Sequence, residues 1–178
     1  MDSSPLEPHK LGIDLENLPP VPRSKLRLVL DNVRSAHNVG ALFRTADAAA
    51  CEKIHLLGVT PHPPQNQLEK TALGATQYLQ WASVEDTSEC VTELSSKGYT
   101  LVALDNGPQA IDLWDFRWPE ETALIAGNEI SGVSAQLLEN CVFRVNLPMF
   151  GYKRSLNVTT AMGIAIYDYL RTFRLGQG

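Results

Sequence analysis

The chain has 178 residues, 44% of them hydrophobic and 20% charged, with a formal net charge of −5. It is long enough to bury a substantial core, and its acidity argues against a protein that coats nucleic acid nonspecifically. No apolar run approaches the roughly 18 residues of a membrane span and the N-terminus carries no signal-type apolar core, so the expectation is a cytoplasmic protein without membrane contact.

Residues 1–23 hold five prolines (Pro5, Pro8, Pro19, Pro20, Pro22) and little apolar periodicity, which predicts a flexible arm, with residues 24–178 forming one domain. A short apolar strand is expected over Leu26–Leu30. A polar turn over Asp31–His37 follows, then a helix over 38–50 with Val39, Leu42, Phe43 and Ala46 on one face. Lys53–Leu57 is the next strand. The loop Gly58–Gln67 carries Pro61, Pro63 and Pro64, too many for a regular element, and is expected to form a substrate-facing lid before a short element near Leu68–Leu73.

A helix over Thr87–Lys97 ends at Gly98, a C-cap signal, before the strand Thr100–Leu104. The strand Ala123–Ala126, the helix Ser134–Asn140, the strand Phe143–Leu147 and a long helix over 155–174 complete the series. This alternation predicts an α/β fold, a mainly parallel sheet with helices on both faces. In the last helix Val158, Ala161, Met162, Ala165, Ile166, Tyr169 and Leu170 form a broad apolar stripe, suited to core packing or to a dimer interface.

Cys51, Cys90 and Cys141 are far apart and outside any CxxC spacing, and His9, His37, His55 and His62 form no ligand cluster. Neither a disulfide framework nor a metal site is expected. Charge is segregated along the chain. Segment 23–53 holds six basic residues against three acidic ones, and segment 144–174 holds five against Asp168, so a basic face arises if the fold joins the two.

Two polar loops follow apolar strands and enter helical patterns, which is where open α/β sheets bind ligands. The first, Gly127-Asn128-Glu129-Ile130-Ser131-Gly132-Val133-Ser134, fits a P-loop except that Val133 stands where the phosphate-binding lysine belongs. An NTPase is therefore disfavoured. A nucleoside-bearing cofactor suits the loop better, with glycines allowing close approach and backbone amides as donors. The second, Gly151–Ala161, contains Ser155 and Asn157. Asn38 and Ser155 also suit plain helix caps, and Arg44 also suits a plain surface cation.

The order Asn38-x-Gly40-x-x-x-Arg44-Thr45, then Gly127-Asn128-Glu129-x-x-Gly132, then Leu147-Pro148-Met149 through Ser155-Leu156-Asn157-Val158 resembles the three motifs of the SpoU (TrmH) RNA ribose methyltransferases, of the SPOUT class. The resemblance runs from Leu26 to Thr172 and includes Pro61 and Lys70–Ala75. It implies a C-terminal trefoil knot, a homodimer with active sites near the subunit interface, and methyl transfer from S-adenosylmethionine to an RNA ribose 2′-hydroxyl, with tRNA favoured over rRNA as substrate.

By the same resemblance Asn38, Arg44, Glu129, Ser155 and Asn157 are the catalytic set. The cofactor loops are Leu104, Asp105, Asn106 and Gly107; Ala126, Gly127, Asn128 and Gly132; and Val145, Leu147, Met149, Ser155, Leu156 and Asn157. Arg34, Arg44, Lys153 and Arg154 are the expected RNA contacts, since no separate N-terminal RNA-binding domain is present in this sequence. In-line displacement at a sulfonium needs alignment and removal of a hydroxyl proton, but no metal. A noncatalytic nucleotide- or RNA-binding module of the same fold is the alternative from another class.

Overall fold

The computed structural model describes residues 21–175, so the arm expected over 1–23 lies almost wholly outside the described residues. Seven strands form one sheet in the order β3-β2-β1-β6-β4-β7-β5, and every pairing in it is parallel. The strands are β1 (Leu26–Asp31), β2 (Lys53–Leu57), β3 (Gln80–Val84), β4 (Thr100–Leu104), β5 (Ile111–Asp112), β6 (Thr122–Ala126) and β7 (Phe143–Asn146). The helices are α1 (Ala36–Ala48), α2 (Asn66–Ala72), α3 (Thr87–Ser96), α4 (Ala135–Asn140) and α5 (Val158–Leu170).

Side-chain alternation along the central strands builds two cores. Leu26, Leu28 and Leu30 of β1 and Leu124 and Ala126 of β6 meet α1, α2 and α5 on one face. Val29, Ala123 and Ile125 meet Cys90 and Leu94 of α3 and Leu137 of α4 on the other. β1 and β6 are buried at every position, as the continuous apolar runs of a covered parallel sheet require. α5 is further pinned by polar contacts. Asp168 accepts from Trp118 Nε1 at 2.9 Å and from Arg171 Nη2 at 2.8 Å, and the Tyr169 hydroxyl donates to the Glu120 carbonyl at 2.6 Å.

Helix starts differ from the expected ones for reasons of capping. α1 begins at Ala36 because the Ser35 hydroxyl accepts the Asn38 amide at 3.2 Å, so Ser35 and not Asn38 is the cap. α5 begins at Val158 with Asn157, not Ser155, as cap; its Oδ1 accepts the Thr159 amide at 2.8 Å. Beyond Leu170 the chain continues as a π-helical turn over Arg171–Leu175. Gly98, at φ 80, follows α3 as the sequence predicts. β3 and β5 were not expected: β3 is a half-exposed edge strand of mixed polarity, and β5 has only two residues.

On the α3 side of β2, His55 is fully buried and both its ring nitrogens lack a hydrogen-bond partner among the described residues. Burial, helped by Lys53, holds its pKa down to about 4 from the usual 6.5, against a smaller opposing pull from Glu93. The fold accepts only the neutral ring. Its contribution is complete above pH 6.5 and is lost as pH falls from 6.5 towards 4, at up to about 1.4 kcal/mol per unit. Denaturant titrations should show that slope, and His55→Leu should remove it; an unchanged slope in the variant would contradict the assignment.

Candidate functional site

Three loops leaving the carboxyl ends of adjacent strands β4, β6 and β7 enclose a cleft of about 540 Å³. This is the edge where open parallel sheets place ligands, and the volume suits a small organic ligand. Leu104, Asp105 and Asn106 follow β4; Ala126, Gly127, Asn128, Glu129 and Gly132 follow β6; Leu147, Met149, Ser155, Leu156 and Asn157 follow β7. Of the expected cofactor residues, Val145 is fully buried inside β7 and Gly107 sits behind Asp105, so neither lines it. Ile130, Val158 and Ala161 line the cleft although the sequence reading did not select them. Among the described residues the lining carries two carboxylates, Asp105 and Glu129, and no lysine or arginine.

The loop after β6 is held by its own bonds. Asn128 and Gly132 exchange backbone bonds at 3.0 and 2.9 Å, and Asn128 Oδ1 accepts the amides of Ile130 and Ser131 at 2.9 and 3.1 Å. Four amides expected to serve a ligand are therefore spent inside the loop. The glycines serve the loop too: a Cβ at Gly127 would lie 2.1 Å from the Gly132 carbonyl carbon, and Gly132 has φ +73. What the loop offers the cleft is a rigid wall and the Glu129 side chain. Asn128 Nδ2 donates to the Asn32 carbonyl at 2.9 Å, and the Ser134 amide donates to the buried Asp31 at 2.7 Å, so both ends of the loop are tied to the end of β1.

Asn38, Glu129 and Asn157, far apart in sequence, meet at the rim. Asn38 Nδ2 donates to Glu129 Oε1 at 3.0 Å, and Asn157 Nδ2 donates to Asn38 Oδ1 at 3.4 Å. The Arg34 amide donates to Glu129 Oε2 at 3.2 Å. Partial burial alone would raise the Glu129 pKa, but it is outweighed by these bonds and by its own backbone amide, and the pKa is lowered. Glu129 is thus an anion and acceptor at neutral pH. It is not poised as a proton donor. Ser155 is exposed at the cleft wall, while Asn157 serves both as helix cap and as member of this cluster.

Arg44 is not in the cluster. It is the ninth residue of α1, about 9 Å along the axis from Asn38 and turned by about 240°, so the two do not share a face. Its side chain is exposed and lines a second concavity between α1, α2 and Tyr167 of α5. The expected basic face is also reduced. Arg23, Lys25, Arg27 and Lys53 are paired with Asp47, Glu120 and Glu121, Glu52, and Glu93 respectively, and Arg171 with Asp168. Arg34, Arg44, Lys153 and Arg154 are exposed and make no ion pair among the described residues.

The proline loop does not act as a lid over this cleft: none of residues 58–67 lines it, and His62 stacks on Trp81 of the edge strand β3 with ring centroids 6.2 Å apart. No group of three or more metal-ligating side chains occurs among the described residues.

Comparison with known proteins agrees with this fold. A 23S rRNA (guanosine-2′-O-)-methyltransferase from Neisseria meningitidis is 30% identical over 88% of this chain and 61% of its own length. The SpoU methyltransferase AviRb from Streptomyces viridochromogenes, solved with its cofactor AdoMet, superposes with a TM-score of 0.80 at 26% identity, over 92% of this chain and 65% of that one. A structure solved for insights into 2-OH methylation of C/U34 on tRNA superposes with a TM-score of 0.75 at 26% identity, over 85% of this chain and 97% of that one. The chain thus spans less than two thirds of the Neisseria relative. The model of the SpoU rRNA Methylase family matches residues 25–167, four-fifths of the sequence, and the chain belongs to that family.

Proposed function

We propose that this chain transfers a methyl group from S-adenosylmethionine to a ribose 2′-hydroxyl of RNA, with tRNA the favoured substrate and rRNA the second. The observation that carries the reading is the charge of the cleft: room for a nucleoside, apolar and polar side chains in its walls, two carboxylates and, among the described residues, no lysine or arginine. S-adenosylmethionine, whose sulfonium and ammonium outweigh its one carboxylate, fits that lining. A nucleoside triphosphate does not, because its phosphates would face Asp105 and Glu129 without a cation. The tRNA preference is supported by the neighbour whose length this chain nearly matches, and rRNA by the Neisseria relative.

When bound, the cofactor supplies an activated methyl group, and its sulfonium makes a metal unnecessary. Leu104, Ala126, Leu147, Met149 and Leu156 would hold the nucleoside, and Asp105 and Glu129 would face its cations. Asn38, Glu129 and Asn157, fixed to one another, present amide and carboxylate groups at the rim to orient a ribose. Arg44 steadies an RNA phosphate and the oxyanion as the hydroxyl passes its proton to solvent water; its guanidinium does not itself accept that proton. Ser155 at the wall positions the same hydroxyl, and Arg34, Lys153 and Arg154 contact the RNA backbone.

A homodimer completes this scheme. Arg44 and the cleft open on different parts of one protomer, so the arginine serves the cleft of its partner, with α1 and the exposed side of α5 at the interface. We further propose that residues 24–178 form one SPOUT domain whose carboxyl end is threaded as a trefoil knot, and that the protein acts in the cytoplasm. The bond from Asn106 Nδ2 to the Arg154 carbonyl, 2.9 Å, holds the loop after β7 against the loop after β4. No helix among the described residues is long and apolar enough to cross a membrane.

Calorimetric titration tests the pocket. Saturable binding of S-adenosylmethionine or S-adenosylhomocysteine is expected, with no binding of Mg-ATP. Binding of Mg-ATP without either would contradict the reading.

A further inference from the structure

The second concavity, about 550 Å³, lies outside the cleft between α1, α2 and α5. Arg44 and Thr45 enter it from α1, Lys70 and Thr71 from α2, and Tyr167 from α5, with His37 at one end. No carboxylate lines it among the described residues, although the chain as a whole is acidic. Lys70 and Arg44 are exposed and make no ion pair among the described residues, whereas Glu69, next to Lys70, is turned away to accept from Thr76 Oγ1 at 2.8 Å. The Thr45 and Thr71 hydroxyls donate to the carbonyls of Ala41 and Leu68, both at 3.0 Å, so the donors left among these side chains are the two cations, His37 and the Tyr167 hydroxyl. Tyr167 adds a half-exposed ring.

Two uncompensated cations converging on a concave surface are the chemistry that holds one phosphodiester. We infer that Lys70 binds a backbone phosphate of the RNA strand next to the target nucleotide, on the side where Arg44 faces the partner's cleft. The inference rests on the RNA methyl-transfer reading and adds a positioning residue to it. Lys70 sits in the last turn of α2, and its exposed side chain leaves the fold intact when shortened.

The test is RNA binding by the full chain across a salt series, with Lys70→Ala, Lys70→Arg and the parent compared on unmodified tRNA. Lys70→Ala should lower the slope of log affinity against log salt by about 0.7 to 0.9, the signature of one lost phosphate contact. It should raise the KM for RNA about tenfold while kcat at saturating RNA stays within about twofold. Lys70→Arg should restore the slope, and the affinity for S-adenosylmethionine should not change. A parent slope retained in Lys70→Ala overturns the assignment of Lys70 while leaving RNA methylation intact. Absence of any salt-dependent RNA binding by the parent overturns both.

Discussion

Arg44→Ala is expected to lower methyl transfer by about 10² to 10³-fold while leaving cofactor affinity within about twofold, the effect of removing one preorganised charge donor. The asymmetry follows from placement. Arg44 lines no part of the cleft, is solvent-exposed and makes no ion pair among the described residues, so its removal disturbs neither the cofactor pocket nor the fold. Single-turnover rates and a cofactor titration on the same preparation separate the two quantities. Equal losses in both would contradict the placement, and an unchanged rate would remove Arg44 from the chemistry.

Gly127→Ala should have the opposite profile. The added methyl would stand 2.1 and 2.2 Å from the Gly132 carbonyl carbon and oxygen and 2.2 Å from the Val133 nitrogen, all backbone atoms that no rotamer change relieves. The loop must open, breaking the paired Asn128 and Gly132 bonds and displacing Glu129 from Asn38. We expect cofactor affinity to fall about 10²-fold, as a misplacement of about 1 Å does, with a stability loss of about 1–3 kcal/mol. Wild-type affinity in this variant would show that the loop is not part of the pocket.

The two variants together test the dimer. If Arg44 serves the partner's cleft, mixing Arg44→Ala with Gly127→Ala creates dimers in which one of the two sites has an intact cleft and an intact arginine. Equal mixing should then recover roughly a quarter of wild-type activity for a two-fold symmetric pair. No recovery after verified subunit exchange would place Arg44 and the cleft in the same protomer.

Periodicity exposed the parts of the fold that packing imposes strongly. β1 and β6 are buried on both faces and appear as unbroken apolar runs, and α1 shows its core stripe at Val39, Leu42, Phe43 and Ala46. β3 escaped because an edge strand needs only one apolar face, and Gln80 and Ser83 are exposed. The two polar loops were visible as candidate ligand loops, but their internal economy was not. Nothing in the order of residues says that Asn128 consumes the amides of Ile130 and Ser131, or that Ser35 takes the capping role and frees Asn38 to reach Glu129. Those outcomes depend on which donors the fold brings within 3 Å, a property of tertiary placement. Charge segregation misled for the same reason: Arg27 and Lys53 lie on the α3 side, where Glu52 and Glu93 neutralise them.

The most direct measurement is transfer of labelled methyl from S-adenosylmethionine by the purified chain to unmodified tRNA and rRNA pools, followed by alkaline hydrolysis. Incorporation at one ribose, protecting the adjoining phosphodiester from cleavage, is the result expected, with tRNA the better acceptor. Label found only on bases, or no incorporation in either pool by protein that binds the cofactor, would contradict ribose methyl transfer by this fold.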